Sequence, residues 1–391
     1  MEDNKKNIYL LYGIALLQGM VFYGPIATLY RQSQGISVFE ITLIESISLV
    51  VMIACEIPWG YIADRIGYKK TILICNILYF ISKIIFWKAD SFIWFLAERL
   101  ILSIVLSGLS GCDSAYLYLS AGKKDNQKIF GIYNAMSNGG LVIASMIFSL
   151  VIKDNYRQAA FFTMLSYGLA MILSFMLSGV HHKSDVRIPL GKPLKTLAVS
   201  IGENKKFILF LISSALLMES HQTITVFLSQ IQYVRSGILT QYMGYIYIAV
   251  TLSGMLSAYS SKLTTWLGES MVIKFLFCIA AVSCILMAVL PHFMISILGI
   301  VILRVATSLF IPVSMDIQNR QIKASNRATI LSIYSSMMNM IAVCTNLIFG
   351  KIADVGIEYA MITGGVFCFV GLILYTLWQG EALNPKYHPR V

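Results

Sequence analysis

The ionisable side chains of interest inside long apolar stretches are Glu45, Lys83, Glu98, Arg99, Glu219, His221 and Arg304. A charge at the centre of a bilayer costs about 2.5–3.5 kcal/mol on insertion scales, so such groups face a protein interior and find partners there. A buried carboxylate beside a movable cation is suited to proton exchange. By depth in its stretch Glu219 fits that role first, then Glu45 and Glu98, with Arg99 or Arg304 as the modulating cation. The structural alternative is a permanently ionised Glu–Arg pair that locks two helices together. His221 reads as a packed, hydrogen-bonded histidine in preference to a relay. Neutral groups at similar depth are Gln18, Tyr23, Asn134, Asn138, Gln222, Tyr245, Tyr247, Tyr334 and Asn339. Amide and aromatic groups suit an amphipathic organic ligand, and they equally suit hydrogen bonds between helices. Metal chemistry finds no support: the seven cysteines lie in apolar segments and form no CxxC pair.

The elements that position these groups follow from hydropathy. Of 391 residues 57% are hydrophobic and 13% charged, and the mean hydropathy is +0.74. A soluble domain carries about 25% charged residues, so this chain cannot cover itself with polar surface. About 20 apolar residues cross a hydrocarbon core. Such stretches occur at 8–30, 38–62, 71–88, 91–119, 128–152, 157–180, 207–233, 238–261, 270–290, 292–317, 328–351 and 356–379. The expectation is an all-α membrane protein with twelve transmembrane helices, since lipid forces each span to satisfy its own backbone. The short charged start, Met1 to Asn7, precedes an apolar run too long for a signal peptide, so the first span reads as uncleaved.

Charge placement sets the expected orientation. With the first residues in the cytoplasm, twenty Lys and Arg fall on the inner side and six on the outer. That bias places both termini in the cytoplasm of a cell membrane. The net charge of +11 is spread over short connections, with no basic stripe or finger spacing, which excludes nucleic acid as a partner. The expected partners are a small-molecule substrate and membrane lipids, for a monomer with no cofactor beyond an exchanged proton. A GxxxxGK[ST] loop, HExxH and GxSxG are absent, so neither a nucleotide-driven pump nor a membrane enzyme is indicated.

A polar connection from His181 to Lys206 divides the chain into 1–180, a linker at 181–206, and 207–391. It contains Pro189, Gly191 and Pro193, then a short amphipathic stretch from Leu194 to Ile201. The two halves retain similarity. Ile129 to Asn138 and Ile330 to Asn339 match at five of ten positions with an offset of 201, the length of one half. Arg99 and Asp113 correspond loosely to Arg304 and Asp316. Two six-helix, pseudo-symmetric halves are expected, with a site between them near the midplane.

The connection after the second span reads Gly60-Tyr-Ile-Ala-Asp64-Arg65-Ile-Gly67-Tyr68-Lys69-Lys70. It resembles the signature of the major facilitator superfamily, Gly-x-x-x-Asp-Arg-x-Gly-Arg-Lys-Lys, with Tyr68 in place of a base. The resemblance implies that the Asp64 carboxylate meets the N-terminal end of the eleventh helix in the outward-open state. It implies that Arg65, Lys69 and Lys70 pair with Asp113 or lipid headgroups, and that helices one, four, seven and ten surround the cavity. On that basis Arg99, Glu219, His221 and Arg304 rank above Lys83, which sits on a helix that is peripheral in the family. Glu56-Ile-Pro58-x-Gly60 and Ser107 to Tyr116 are similar to bacterial exporters of drugs or small solutes, and Arg99 resembles the embedded arginine of proton-linked members. The fifth span departs from the antiporter pattern, since Asn134 to Gly140 lacks its proline and first glycines. The implied function is secondary transport by alternating access, as proton-coupled efflux. Import or exchange of organic anions through Arg99 and Arg304, and lipid flipping, stand as alternatives.

Overall fold

A computed structural model describes residues 2–121, 126–179, 206–322 and 327–382. The 181–205 part of the expected linker, its surface helix and the last nine residues lie outside the described residues, as does the side chain of Asp64. The described residues are helical and contain no strand. Eleven stretches among them are long and apolar enough to cross a membrane. The remaining expected span, 238–261, is helical in pieces. A 3₁₀ turn at Thr240–Tyr242 leads into Met243–Ser253, a 3₁₀ segment at Gly254–Tyr259 and a helix at Ser260–Leu267. The tightening begins where Gly254 meets the Arg304 guanidinium: a side-chain carbon on Gly254 would lie 2.7 Å from an Arg304 terminal nitrogen.

Two compact units result. One holds the described residues up to 179 together with 239–248; the other holds 206–238 and the residues from 249 onward. In the first unit α1 is Glu2–Gly19, α2 Ala27–Ser33, α3 Val38–Ile66, α4 Tyr68–Lys88, α5 Phe92–Leu109, α6 Cys112–Ala121, α7 Asn126–Ile147 and α8 Tyr156–Phe175. In the second, α9 is Phe207–Gln222, α10 Ser229–Arg235, α11 Met243–Ser253 (begun in the first unit), α12 Ser260–Leu267, α13 Glu269–Val289, α14 Phe293–Arg320, α15 Arg327–Val355 and α16 Ile357–Ala382. The expected fourth span is two helices, because Ser110 and Gly111 interrupt it and Gly111 has φ +84°.

The offset of 201 recurs in the backbone. Tyr68, Phe92 and Tyr156 begin helices, and so do Glu269, Phe293 and Ile357. Gly67 ends α3 at φ 85°, ψ 153°, and Gly268 ends α12 at φ 81°, ψ 144°. The signature turn therefore has a second copy that the residue types hide. At this offset Arg99 aligns with Ile300 and Arg304 with Ser103, so the two arginines differ by one helical turn and are not equivalents. Both glycines occupy backbone space that other residues reach only under strain. Gly67→Ala and Gly268→Ala are each expected to cost about 1–2 kcal/mol, read as a lower thermal midpoint in detergent. Unchanged midpoints would show that the turns relax.

Candidate functional site

The first membrane span is interrupted. α1 ends at Gly19, residues 20–23 leave the helix, Gly24–Ile26 make one 3₁₀ turn, and α2 resumes at Ala27. Pro25 supplies no amide hydrogen and sits at the start of the 3₁₀ turn, where none is needed. An interruption in lipid must satisfy its freed backbone groups. Here α8 does so with three side chains. Ser166 Oγ donates to the Leu17 carbonyl at 2.6 Å, Tyr167 Oη to the Gln18 carbonyl at 2.7 Å, and the Phe22 amide donates to Thr163 Oγ1 at 2.9 Å. The position 201 residues later is also irregular: Thr223–Leu228, after α9, is a π turn. Such turns arise where a side chain or ligand competes with the helical ladder.

Charge gathers at the first interruption. Lys83 Nζ on α4 donates to Tyr23 Oη at 2.9 Å and to Glu98 Oε1 on α5 at 3.1 Å. The Lys83 and Glu98 side chains are only 3% and 1% exposed. One residue on, Arg99 Nη2 donates to Glu45 Oε1 on α3 at 2.6 Å, and this pair is more accessible, at 22% and 12%. Arg31, on the last turn of α2, is 8% exposed and lies over the rings of Phe86 and Phe95 at 5.4 and 5.9 Å. Gln18 Nε2 donates to Asn76 Oδ1 at 2.8 Å, and Asn76 Nδ2 to the Ile72 carbonyl. Glu98 Oε2 and the Nε atoms of Arg31 and Arg99 have no hydrogen-bond partner among the described residues. A buried cluster of this kind holds three cations and two carboxylates.

The second unit carries a smaller polar group. His221 is buried, and its Nε2 has no hydrogen-bond partner among the described residues. Glu219 is half-buried and Gln222 exposed on the same helix, and Thr223 Oγ1 donates to Asn346 Oδ1 at 2.7 Å. Arg304 is half-buried on α14, against Gly254. Tyr334 is buried against Phe207, with ring centres 5.2 Å apart, and Asn339 is half-buried one turn further along α15.

Asn134 and Asn138 form one exposed stripe on α7, and Tyr245 is 40% exposed. In the signature, Gly60 lies inside α3, Gly67 makes its turn, Lys69 is half-buried, and Arg65 stacks over Tyr61 at 4.5 Å. Asp113 accepts from Tyr133 Oη at 3.2 Å and from the Ser114 amide, so its partners among the described residues are not the signature bases.

The family model described as Major Facilitator Superfamily matches residues 8–306. The chain belongs to that superfamily. That superfamily is one of membrane transporters, and the apolar helices make this chain a multi-pass membrane protein. This facilitator is similar to the methyl viologen resistance protein SmvA of Salmonella typhimurium, with 23% identity over 159 residues. That match covers 39% of this chain and spans about a third, 31%, of the relative's own length. Among solved structures, the nucleoside transporter NupG superposes with a TM-score of 0.80 at 15% identity over 98% of this chain and all of its own. A bacterial homologue of the human lysosomal transporter Spinster gives 0.74 at 15% identity, over 99% of each chain. These likenesses show the fold.

Reasoning from sequence passed over three parts of the facilitator's first cluster. Lys83 ranked low because its helix is peripheral in the family, yet Asn76, Tyr79 and Lys83 recur at helical spacing and mark a polar face of α4. Arg31 falls in the gap between the apolar stretches 8–30 and 38–62, so hydropathy does not nominate it. Tyr167 carried no signal, because its task is to bond a carbonyl freed by a distant helix.

Proposed function

We propose that this facilitator exports amphipathic organic solutes, drugs among them, by alternating access coupled to proton entry. The observation that carries the reading is the pair of joined ion pairs, Lys83–Glu98 and Arg99–Glu45, beside the interruption of the first span. Buried charges in lipid are costly and accompany ion or substrate pathways, and interrupted helices form substrate and coupling-ion sites in transporters. The name of the Salmonella relative supports outward movement of a toxic organic cation. Each proton entering contributes about 2.3 kcal/mol per 100 mV, in addition to the pH gradient.

In this reading the segment 240–267 completes a twelfth crossing, and the chain forms two six-helix halves, 1–180 and 207–391. Both termini lie in the cytoplasm of a bacterial inner membrane, and the protein works as a monomer. Asn134, Asn138 and Tyr245 of the first unit, and Gln222 of the second, are exposed polar groups suited to solute contact, since exposed polar groups are disfavoured against lipid. Glu219 exchanges the proton under the influence of Arg304. A second reading, transport of organic anions, is favoured by one observation: the first cluster holds one cation more than its carboxylates balance.

The test is accumulation of methyl viologen and ethidium in pump-deficient cells, with and without a protonophore. Wild type is expected to lower accumulation only while the proton gradient stands, and Glu219→Gln and Asp64→Asn at matched expression to return it to the level of empty cells. Wild type without effect on either cation, together with gradient-dependent movement of an aromatic carboxylate, would replace the first reading by the second.

A further inference from the structure

The first cluster pairs all of its charges but one. Lys83 is held as an ammonium by Glu98 and the Tyr23 hydroxyl, and Arg99 is held by Glu45, so these groups sum to zero. Arg31 is left over. A guanidinium stays charged and offers only donors. Among the described residues no acceptor meets that of Arg31, and its Nε is buried without a hydrogen bond. The residue is 8% exposed. A buried charge without a partner is strongly disfavoured, and more so within a membrane. We propose that Arg31 is the binding site of a singly charged anion, either a halide from solution or the carboxylate of an aromatic solute.

The packing around Arg31 is aromatic. The residue ends α2, and its Cζ lies 5.4 Å from the centre of the Phe86 ring and 5.9 Å from that of Phe95. Those rings meet edge to face at 5.6 Å, and Tyr30 packs against them at 5.3 and 5.9 Å. Tyr30 Oη donates to the Trp87 carbonyl at 3.2 Å, which fastens α2 to the end of α4. Ring faces attract a cation but leave the N–H donors in the guanidinium plane unmet. Glu98 Oε2 also lacks a hydrogen-bond partner among the described residues, and is the competing acceptor. Its carboxylate already balances Lys83, so sharing it with Arg31 would still leave one positive charge in surplus. Arg157 and Asp90, which act on Tyr30 from its other side, offset each other.

These surroundings define the ligand's chemistry. One negative charge brings the cluster to zero, whereas a dianion would reverse its sign. Carboxylate oxygens match the spacing of guanidinium N–H groups. The Phe86, Phe95 and Tyr30 rings favour an aromatic body behind the charged end. Arg31 sits where the first span has resumed after its interruption, so a bound anion would join the mobile end of that span to Arg99 of α5, whose Nε also lacks a hydrogen-bond partner among the described residues. Carriage of the anion rests on the organic-anion reading given above. Its binding to Arg31 does not.

The test is anion binding to purified wild type, Arg31→Gln and Arg31→Lys in detergent and a low-salt zwitterionic buffer. Sodium chloride, sodium benzoate and uncharged benzamide are the probes, read by calorimetry and thermal midpoint. Wild type is expected to bind at least one of the anions and not benzamide. Arg31→Gln should bind that anion at least about tenfold more weakly, the loss that removing a charge-assisted hydrogen bond implies. Arg31→Lys keeps the charge without the fork and should fall between them. It decides the comparison if Arg31→Gln expresses poorly. Benzoate displacing chloride at much lower concentration assigns the site to a solute carboxylate, and chloride binding that benzoate does not displace assigns it to a halide. Without added anion, Arg31→Gln should melt no lower than wild type, because it removes an unpaired charge. Equal binding by wild type and Arg31→Gln, or no binding by wild type, overturns the proposal. So does an anion-free Arg31→Gln that melts well below wild type, since Glu98 would then be the partner of Arg31. Arg31-dependent binding of benzoate by a protein whose wild type moves no aromatic carboxylate keeps the site and rejects the organic-anion reading instead.

Discussion

Gly19→Ala and Gly140→Ala are expected to be the most damaging single-carbon additions in the first unit. α1 crosses α7 so closely at these residues that a methyl on Gly19 would overlap the Ser137 carbonyl, and one on Gly140 the Leu16 carbonyl. The two contacts are reciprocal, each glycine directing a Cα hydrogen at a carbonyl of the facing helix. Weak hydrogen bonds of this kind recur where small residues bring membrane helices together. Backbone oxygens cannot change rotamer, so the helices themselves must separate. We expect each substitution to cost about 3 kcal/mol or more, the upper part of the range for overpacking. The same separation relieves both overlaps, so the double variant should cost clearly less than the two single costs combined. Thermal midpoints of purified variants in detergent measure this. Single variants that melt with wild type would mean that the crossing is looser than these carbonyl positions allow. Transport should fall in parallel, because Gln18 and the interruption after Gly19 hang from this crossing.

The membrane character of the chain was legible because it depends on quantities that add along the sequence. Long apolar runs and the Gly60–Lys70 signature mark it without reference to any neighbour. The interruption of the first span was only half legible. Gly24 and Pro25 announce it, but a hydropathy window does not register a missing amide hydrogen, so 8–30 reads as one span. Its stabilisation by Thr163, Ser166 and Tyr167 could not be read at all, since those residues lie 141 to 149 positions away. The same holds for 238–261. Its composition suits a single span, and its 3₁₀ segment begins where Gly254 meets an arginine of α14. The repeat shows the converse. Gly67 and Gly268 share a backbone conformation, but Thr265 and Trp266 stand where Asp64 and Arg65 do, so the second turn has kept its geometry and lost its signature.

The site was legible as a set of residue types and illegible as a set of pairs. Depth in a span marks Glu45, Glu98 and Arg99 as charged groups in need of partners. It could not say that Arg99 meets Glu45, or that Glu98 meets a lysine one helix away. Partner choice depends on helix rotation, which side-chain packing decides. A family average carries none of that local information, and Lys83, peripheral by that average, is among the most buried charges of the unit.

Removal of Arg99 should be far worse than removal of the whole pair it belongs to. Arg99→Ala leaves the Glu45 carboxylate at 12% exposure without its 2.6 Å partner, on a helix facing other helices and lipid. Stranding one member of a buried ion pair costs about 3–5 kcal/mol, and the partial exposure of this pair places the expected loss near the lower figure. Glu45→Gln alone strands the guanidinium in the same way. In the double variant Glu45→Gln, Arg99→Gln, two neutral amides can bond each other, and most of the loss should be recovered. A double-mutant cycle on thermal or denaturant unfolding in detergent therefore gives a large coupling energy. If the two single costs simply add, the 2.6 Å contact is incidental and each residue is held by something else. Transport gives the complementary reading. A pair that only fastens α3 to α5 will transport normally once the amides restore stability. A pair that senses the proton or the solute will leave the double variant stable and inactive, because neither amide carries a charge for the moving species to displace.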